Sequence, residues 1–229
     1  MPITVFGLDV GMIDDGNKDT AINQTNPTIG LGTRNPIVIR SGAIIYYLSR
    51  YELSSIDVAA NVSSAILTLK SQVLLLAGTY SIHRLLTNWG QTDTNAGIEQ
   101  NPAANGQATW DNAYDYNGGG PGDVGWVAGV GVGFGAGDYN AAVENSQAIP
   151  ATGATANFDI TAMIQDMVTN PANNYGFLVM SNRNPNNAIF SFAAAAATDA
   201  PYLTVNYTIP STGTTRQSHT AISNTIAIM

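Results

Sequence analysis

The sequence predicts an all-β protein, an antiparallel β-sandwich with one short helix, about residues 159–169, capping one end. Three observations lead there. Runs rich in β-branched and aromatic residues alternate with turns rich in Asn, Gly and Pro along most of the 229 residues. Only one stretch, within "ANFDITAMIQDMVTNPANNYGFLVMSN" (156–182), carries apolar residues at helical spacing. Cysteine is absent, so no disulfide framework, thiolate chemistry or Cys-based zinc site exists, and a chain this long buries enough core to do without them.

In chain order, residues 1–13 alternate loosely and fit an initial strand. "DDGNKDTAINQTNPTIGLGTRNP" is turn-rich. From Pro36, "IVIRSGAIIYYLSRYEL", "SAILTLKSQVLLLA" and "TYSIHRLL" read as strands. Residues 88–157 are long, irregular and rich in Gly and Asn, and a stretch of that length holds short strands or a functional loop. Within it "GWVAGVGVGFGAG" alternates Gly with Val or Phe, as a tight strand or β-arc would. No strand-to-helix context surrounds those glycines, which argues against a dinucleotide loop.

The helix follows. Ile160, Met163, Ile164, Met167 and Val168 form one stripe, with Asp159 or Thr161 at its start and Asn170-Pro171 at its stop. The two methionines suit the gap beneath an end-cap. "YGFLVMSN", "AIFSFAAAAA" and "APYLTVNYTI" complete the strands. Three segments result: 1–17, an N-terminal extension or strand; 18–208, the sandwich; and 209–229, a polar lead into the apolar "AISNTIAIM", a tail expected to dock on a neighbour.

Charge narrows the function. Eight Lys+Arg face 16 Asp+Glu, for a formal −8 and a pI near 4.4, and the cations are scattered singly. No basic stripe exists to neutralise phosphates, so nucleic acid is disfavoured as a partner. Charged residues make up 10%, against roughly 25% in ordinary soluble domains. Asn, Thr, Ser and Gln must therefore supply the polar surface, as on extracellular modules and on proteins packed among copies of themselves. No apolar run approaches a membrane span, and "MPITVFGLDVGMIDDGNKD" lacks the early cation of a secretory signal. The chain reads as made in the cytoplasm of its host.

"KDTAINQTNPTIG", "LSRYELSSIDVAANVSSAILTLK", "YSIHRLLTNWGQTDT", "ATWDNAYDY", "GAGDYNA", the helix stretch and "DAPYLTVNY" occur in an order that resembles a DNRLRE-type domain, over residues 18–208. That family is similar to carbohydrate-binding modules of disaggregatase-like proteins. The resemblance implies a jelly-roll-like sandwich that binds polysaccharide without catalysing its cleavage, here in a stand-alone form like those on bacteriophage particles.

Candidates for chemistry are few. His83 lies in a strand opposite Ile82, half-exposed by alternation, and no nucleophile motif accompanies it; His219 falls in the tail. Asp111, Asp115, Asp123 and Asp138 lie in the irregular segment, where Asx turns account for them and a hydrolase would need two of them facing across a cleft. Asp15, Asn17 and Asp19 match the first oxygen positions of a calcium loop, but Thr20 and Asn26 stand where its glycine and glutamate belong. A looser Ca²⁺ site is the one cofactor left open, and no other metal site is expected.

Among the aromatics, Trp89 and Trp110 read as core anchors. Tyr114, Tyr116, Trp126 and Tyr139 read as surface contacts for a glycan or a neighbouring subunit. In the tail, Ile222, Ile226, Ile228 and Met229 read as assembly contacts. The expected function is that of a non-catalytic structural protein: a capsid decoration, cement or minor component of a virion, partnered with itself or with a major capsid protein. The alternative is an extracellular carbohydrate-binding module or adhesin recognising polysaccharide.

Overall fold

The computed structural model describes residues 3–7, 18–31, 37–40, 44–74, 77–90, 106–116, 121–129, 131–150, 152–181, 187–190 and 201–210. It is an all-β, antiparallel sandwich with one α-helix, as the sequence predicts. Thirteen strands are described: β1 (Ile3–Gly7), β2 (Lys18–Asn23), β3 (Ile37–Arg40), β4 (Ile45–Arg50), β5 (Asn61–Leu74), β6 (Gly78–Arg84), β7 (Asn112–Tyr114), β8 (Val124–Gly125), β9 (Asn145–Ile149), β10 (Thr155–Asp159), β11 (Phe177–Ser181), β12 (Asn187–Phe190) and β13 (Tyr202–Thr208). The helix, α1, spans Thr161–Thr169.

Sheet A holds β1, β13, the first ten residues of β5, and β10, in that order. Sheet B holds β12, β3, β4, β11, β6 and β9, with β2 alongside β4. β5 belongs to both. Through Lys70 it pairs with β13 and β10, and from Ser71 it pairs with β12. One strand thus turns the corner between the layers, as strands of folded-over sheets do.

The two sheets differ in what their outer faces meet, and their sequences record it. β13 and β10 alternate between buried and more accessible positions, the mark of a sheet wet on one side. In β2, β4 and β11 the apolar residues run on: Ala21-Ile22, Tyr47-Leu48 and Phe177-Leu178-Val179 are all buried. Sheet B is therefore covered on both faces. Its inner side chains Tyr47, Tyr80, Ile82, Phe177 and Val179 meet Leu67, Leu69, Phe158, Leu203 and Val205 of sheet A in the main core.

α1 closes one mouth of that core. Ile160, Met163, Ile164, Met167 and Val168 are each at most 2% exposed, so the whole stripe faces inward. Gln165 ties the helix to the lead-in of β5, accepting from Val62 N at 2.7 Å and donating to Ala60 O at 3.1 Å. Thr161 Oγ1 accepts from Ala65 N at 2.9 Å. An Arg84–Asp166 ion pair joins α1 to sheet B.

The start of α1 differs from expectation. Ile160 occupies the capping position with no side-chain cap, and Asp159 instead accepts from the Thr161 hydroxyl at 2.6 Å and from Thr161 N at 3.1 Å. Those bonds, the side-chain one first, hold the Asp159 carboxyl below its usual range. Their contribution is present above the ordinary carboxylate range and fades as pH falls through the depressed value; exposure keeps it small. At the other end Asn170 leaves helical geometry and Pro171–Asn173 forms a 3-10 turn, as the Asn-Pro pair predicts. Among the described residues no helix is long and apolar enough to cross a membrane.

Candidate functional site

The outer face of sheet B presents Ile22, Leu48 and Leu178, and described stretches between Leu85 and Tyr139, with Trp89, Ala108, Trp110, Ala113, Trp126 and Phe134, pack over it. This cover is where the sequence concentrates its aromatic and acidic candidates. It is built from rings and turns and contains little strand. Where the sequence suggests a tight strand or β-arc, the described residues of 125–137 form successive turns, and Val124–Gly125 pairs with β7. Gly129, Gly131, Gly133 and Gly137 all have positive φ, which breaks extension every two to four residues. At Gly133 (φ +98) a Cβ would also fall 2.8 Å from Trp110 Nε1, so ring and backbone meet there directly.

Phe134 is the centre of the ring cluster. Trp126 meets it edge-on at 4.9 Å, Tyr139 stacks on it at 5.6 Å, and Trp110 and Tyr46 approach at 6.1 and 6.0 Å. Trp126 is 2% exposed, and its Nε1 donates to Thr109 O at 3.1 Å. The surface role expected of Trp126 is thereby corrected: its indole is interior, and the glycine turns wrap over it. Tyr139 is half-buried, sandwiched between Phe134 and the edge of His83 at 5.6 Å. Tyr114 is half-buried, and Tyr116, at 36%, is exposed. Trp89 and Trp110 are buried, as expected of core anchors, with Trp89 Nε1 donating to Tyr175 O at 2.9 Å.

His83 is on the face opposite Ile82, yet it is buried and not half-exposed, because the cover closes over it. Its ring nitrogens lie 3.0 Å from Asn140 O and 3.0 Å from Ser81 Oγ.

The carboxylates hold turns together. Asp138 accepts from Val127 N (2.7 Å), Gly135 N (3.0 Å) and Thr87 Oγ1 (3.1 Å). Asn112 Nδ2 donates to Asp115 at 3.3 Å and Asp123 at 3.2 Å, while its Oδ1 accepts from Gly131 N at 3.0 Å. Asp123 also accepts from Tyr116 N at 2.6 Å. Burial first, then the charge of Asp115, pushes the Asp111 carboxyl up. So Asp115 and Asp123 gather around Asn112 with Asp111 beside Asp115, while Asp138 serves a separate turn. Among the described residues no three His, Asp or Glu side chains are grouped as metal ligands. Of the calcium-loop candidates, Asp15 and Asn17 lie outside the described residues, and Asp19 sits on β2 opposite Ser49.

A cluster that sequence reading missed lies where β4 ends. Arg50 Nη1 donates to Asn88 Oδ1 at 3.3 Å, and the same oxygen accepts from Trp89 N at 3.0 Å. Burial raises the phenol of nearby Tyr114, while the Arg50 charge acts in the opposite direction. Lys18 stands directly across the β2–β4 ladder from Arg50. These residues are 18, 50, 88 and 114 in the chain, and no local motif could have joined them. Ile222, Ile226, Ile228 and Met229 lie outside the described residues, as does His219.

No protein-family model matches this chain, and no curated protein matches it.

Proposed function

We propose that this chain is a non-catalytic structural protein: a decoration, cement or minor capsid component of a virus (phage) particle, located in the virion. It attaches through its flanking ends to copies of itself or to a major capsid protein and displays its loops outward. The observation that carries this reading is the pairing of β1 with β13. Ile3 is the partner of Asn206, and the strands are antiparallel, so the start of β1 and the end of β13 lie at one end of sheet A. Chain ends are often neighbours in a domain. Here they also share the end that α1 closes, since Asn206 pairs with Ser64 while Gln165 holds Val62. With Ile3–Gly7 held in sheet A, the tail beside the start of β1 can then meet a partner surface at that end, leaving the covered face of sheet B for display.

The apolar tail residues Ile222, Ile226, Ile228 and Met229 supply the contact, each contributing on the order of 1.5–3 kcal/mol when fully covered. Repetition over many copies turns a modest contact into durable attachment. The use of carboxylates as turn staples supports the non-catalytic half of the reading. The second reading, an extracellular carbohydrate-binding module, rests on the exposed ring of Tyr116 beside half-buried Tyr114; Trp126 is interior and does not serve it.

Sedimentation of the full chain against a chain ending at Pro210 tests attachment by the ends. The full chain is expected to form a discrete oligomer or to co-sediment with particles. The shortened chain should be monomeric and bind no particle, with an unchanged melting temperature. Identical sedimentation of the two forms overturns the proposal.

A further inference from the structure

We propose that β1 is a self-pairing edge: β1 of one copy adds antiparallel to β1 of a second copy, about a two-fold axis through Val5. The A sheets of the two copies then continue into each other. Attachment by the tail makes no use of this edge. Sheet A ends at β1, whose five rungs with β13 run from Ile3–Asn206 to Gly7–Tyr202. Among the described residues nothing pairs with its other side, which leaves backbone N–H and C=O groups open to a further strand.

Proteins guard such edges with charge, proline or a bulge. Four described strands of the two main sheets, β1, β2, β9 and β10, have a single pairing partner, and three of them are guarded. β2 carries Lys18 and Asp19. β9 and β10 lie against each other, where Asn145 Nδ2 donates to Asp159 O at 3.1 Å, and Asp159 ends β10 with a charge. β1, with the sequence ITVFG, contains no charge and no proline, and its ladder with β13 has no register shift. Its β-branched and aromatic residues favour extension.

Charge and symmetry select a second copy as the occupant. The chain carries a formal −8, so two copies repel over most of their surfaces, and an uncharged strand is where they approach most easily. A two-fold contact sets the same strand against itself. With the axis at Val5, the middle residue, all five positions find partners: Ile3 meets the partner's Gly7, Thr4 the partner's Phe6, and Val5 the partner's Val5. Any other axis leaves rungs unfilled. So short a ladder covers less than the roughly 1,200 Å² of a stable interface, so the pairing is reversible in dilute solution and persists where copies crowd together.

The test exploits the absence of cysteine. Full-length Val5→Cys and Ile3→Cys are each oxidised with diamide at high protein concentration. Val5 is the register partner of Thr204, on the more accessible side of β13, so replacement there spares the main core. Val5→Cys sets two thiols directly opposite and is expected to yield a covalent dimer. Ile3→Cys sets them four residues apart along the ladder, about 13 Å and beyond the roughly 7 Å that a disulfide spans, so its yield should be at least about tenfold lower. Concentration-dependent shifts of the Thr4 and Phe6 amides read the same pairing by nuclear magnetic resonance. Val5→Lys and Val5→Glu should each raise the midpoint of those shifts about tenfold by placing like charges across the axis, and an equimolar mixture should restore it. Equal crosslinking of the two cysteine variants, no crosslinking in either, or a mixture no tighter than its components overturns the proposal. Should a charged variant lose its native circular dichroism, the cysteine comparison decides. A Val5→Cys dimer in a chain whose tail proves inert, or oligomers held by the tail without that dimer, tells the two proposals apart.

Discussion

Trp126 fills the space between Thr109 and Phe134, and its indole proton is committed to a backbone carbonyl. Removing the ring empties a packed site and strands that carbonyl. Trp126→Ala is expected to lower stability by about 3–5 kcal/mol, the usual cost of deleting a buried large aromatic. The measurement is the denaturant midpoint, with the slope unchanged if folding remains two-state. Trp126→Phe should recover most of the packing and lose about 1 kcal/mol for the missing donor. A midpoint for Trp126→Ala equal to wild type would place this ring outside the interior. The sequence gives little warning of its burial, because glycine-flanked tryptophans look alike whether turns fold over them or away from them.

At the scale of elements, α1 was fully legible in its stripe. Five apolar residues at 3.6-residue spacing, amid strands that repeat every two, can only face one way. Met167, near the C-terminal end of that stripe, is 1% exposed. Met167→Ala is expected to cost about 2–5 kcal/mol, read from the thermal midpoint, whereas Ala162 on the exposed side should tolerate replacement by Gln with little change. Equal effects at 162 and 167 would show that the helix does not plug the core. The longer strands from residue 37 on were legible from composition, but β2 formed within a stretch that reads as turns and β9 within the irregular segment, while the double burial of sheet B is written in "YYLS" and "FLVMS", where apolar residues fail to alternate. What remained hidden was the cover itself. Its shape is set by glycine φ values and by single side-chain-to-backbone bonds such as those of Asp138, and neither leaves a period to detect.

The whole molecule has two cores of different construction. The main core is bounded by continuous ladders and one helix, while the second is a ring cluster roofed by turns. Ladders open cooperatively, but a roof fastened by isolated hydrogen bonds can lift by itself. Native-state hydrogen exchange should therefore show β6, β11 and β13 protected to the global limit, with Val127, Gly131 and Gly135 exchanging through a smaller, denaturant-insensitive opening. Uniform protection across both groups would mean that the cover and sandwich unfold as one unit.

The antiparallel neighbours Ile3–Gly7 and Tyr202–Thr208 also determine how the protein answers mechanical load. Tension applied between the two ends acts across the ribbon and peels β1 away one rung at a time, so little force is resisted. Tension borne by both ends together, as from a shared anchorage, runs lengthwise into two adjacent strands and strains many rungs at once. The same seam is weak as a rope and strong as a root.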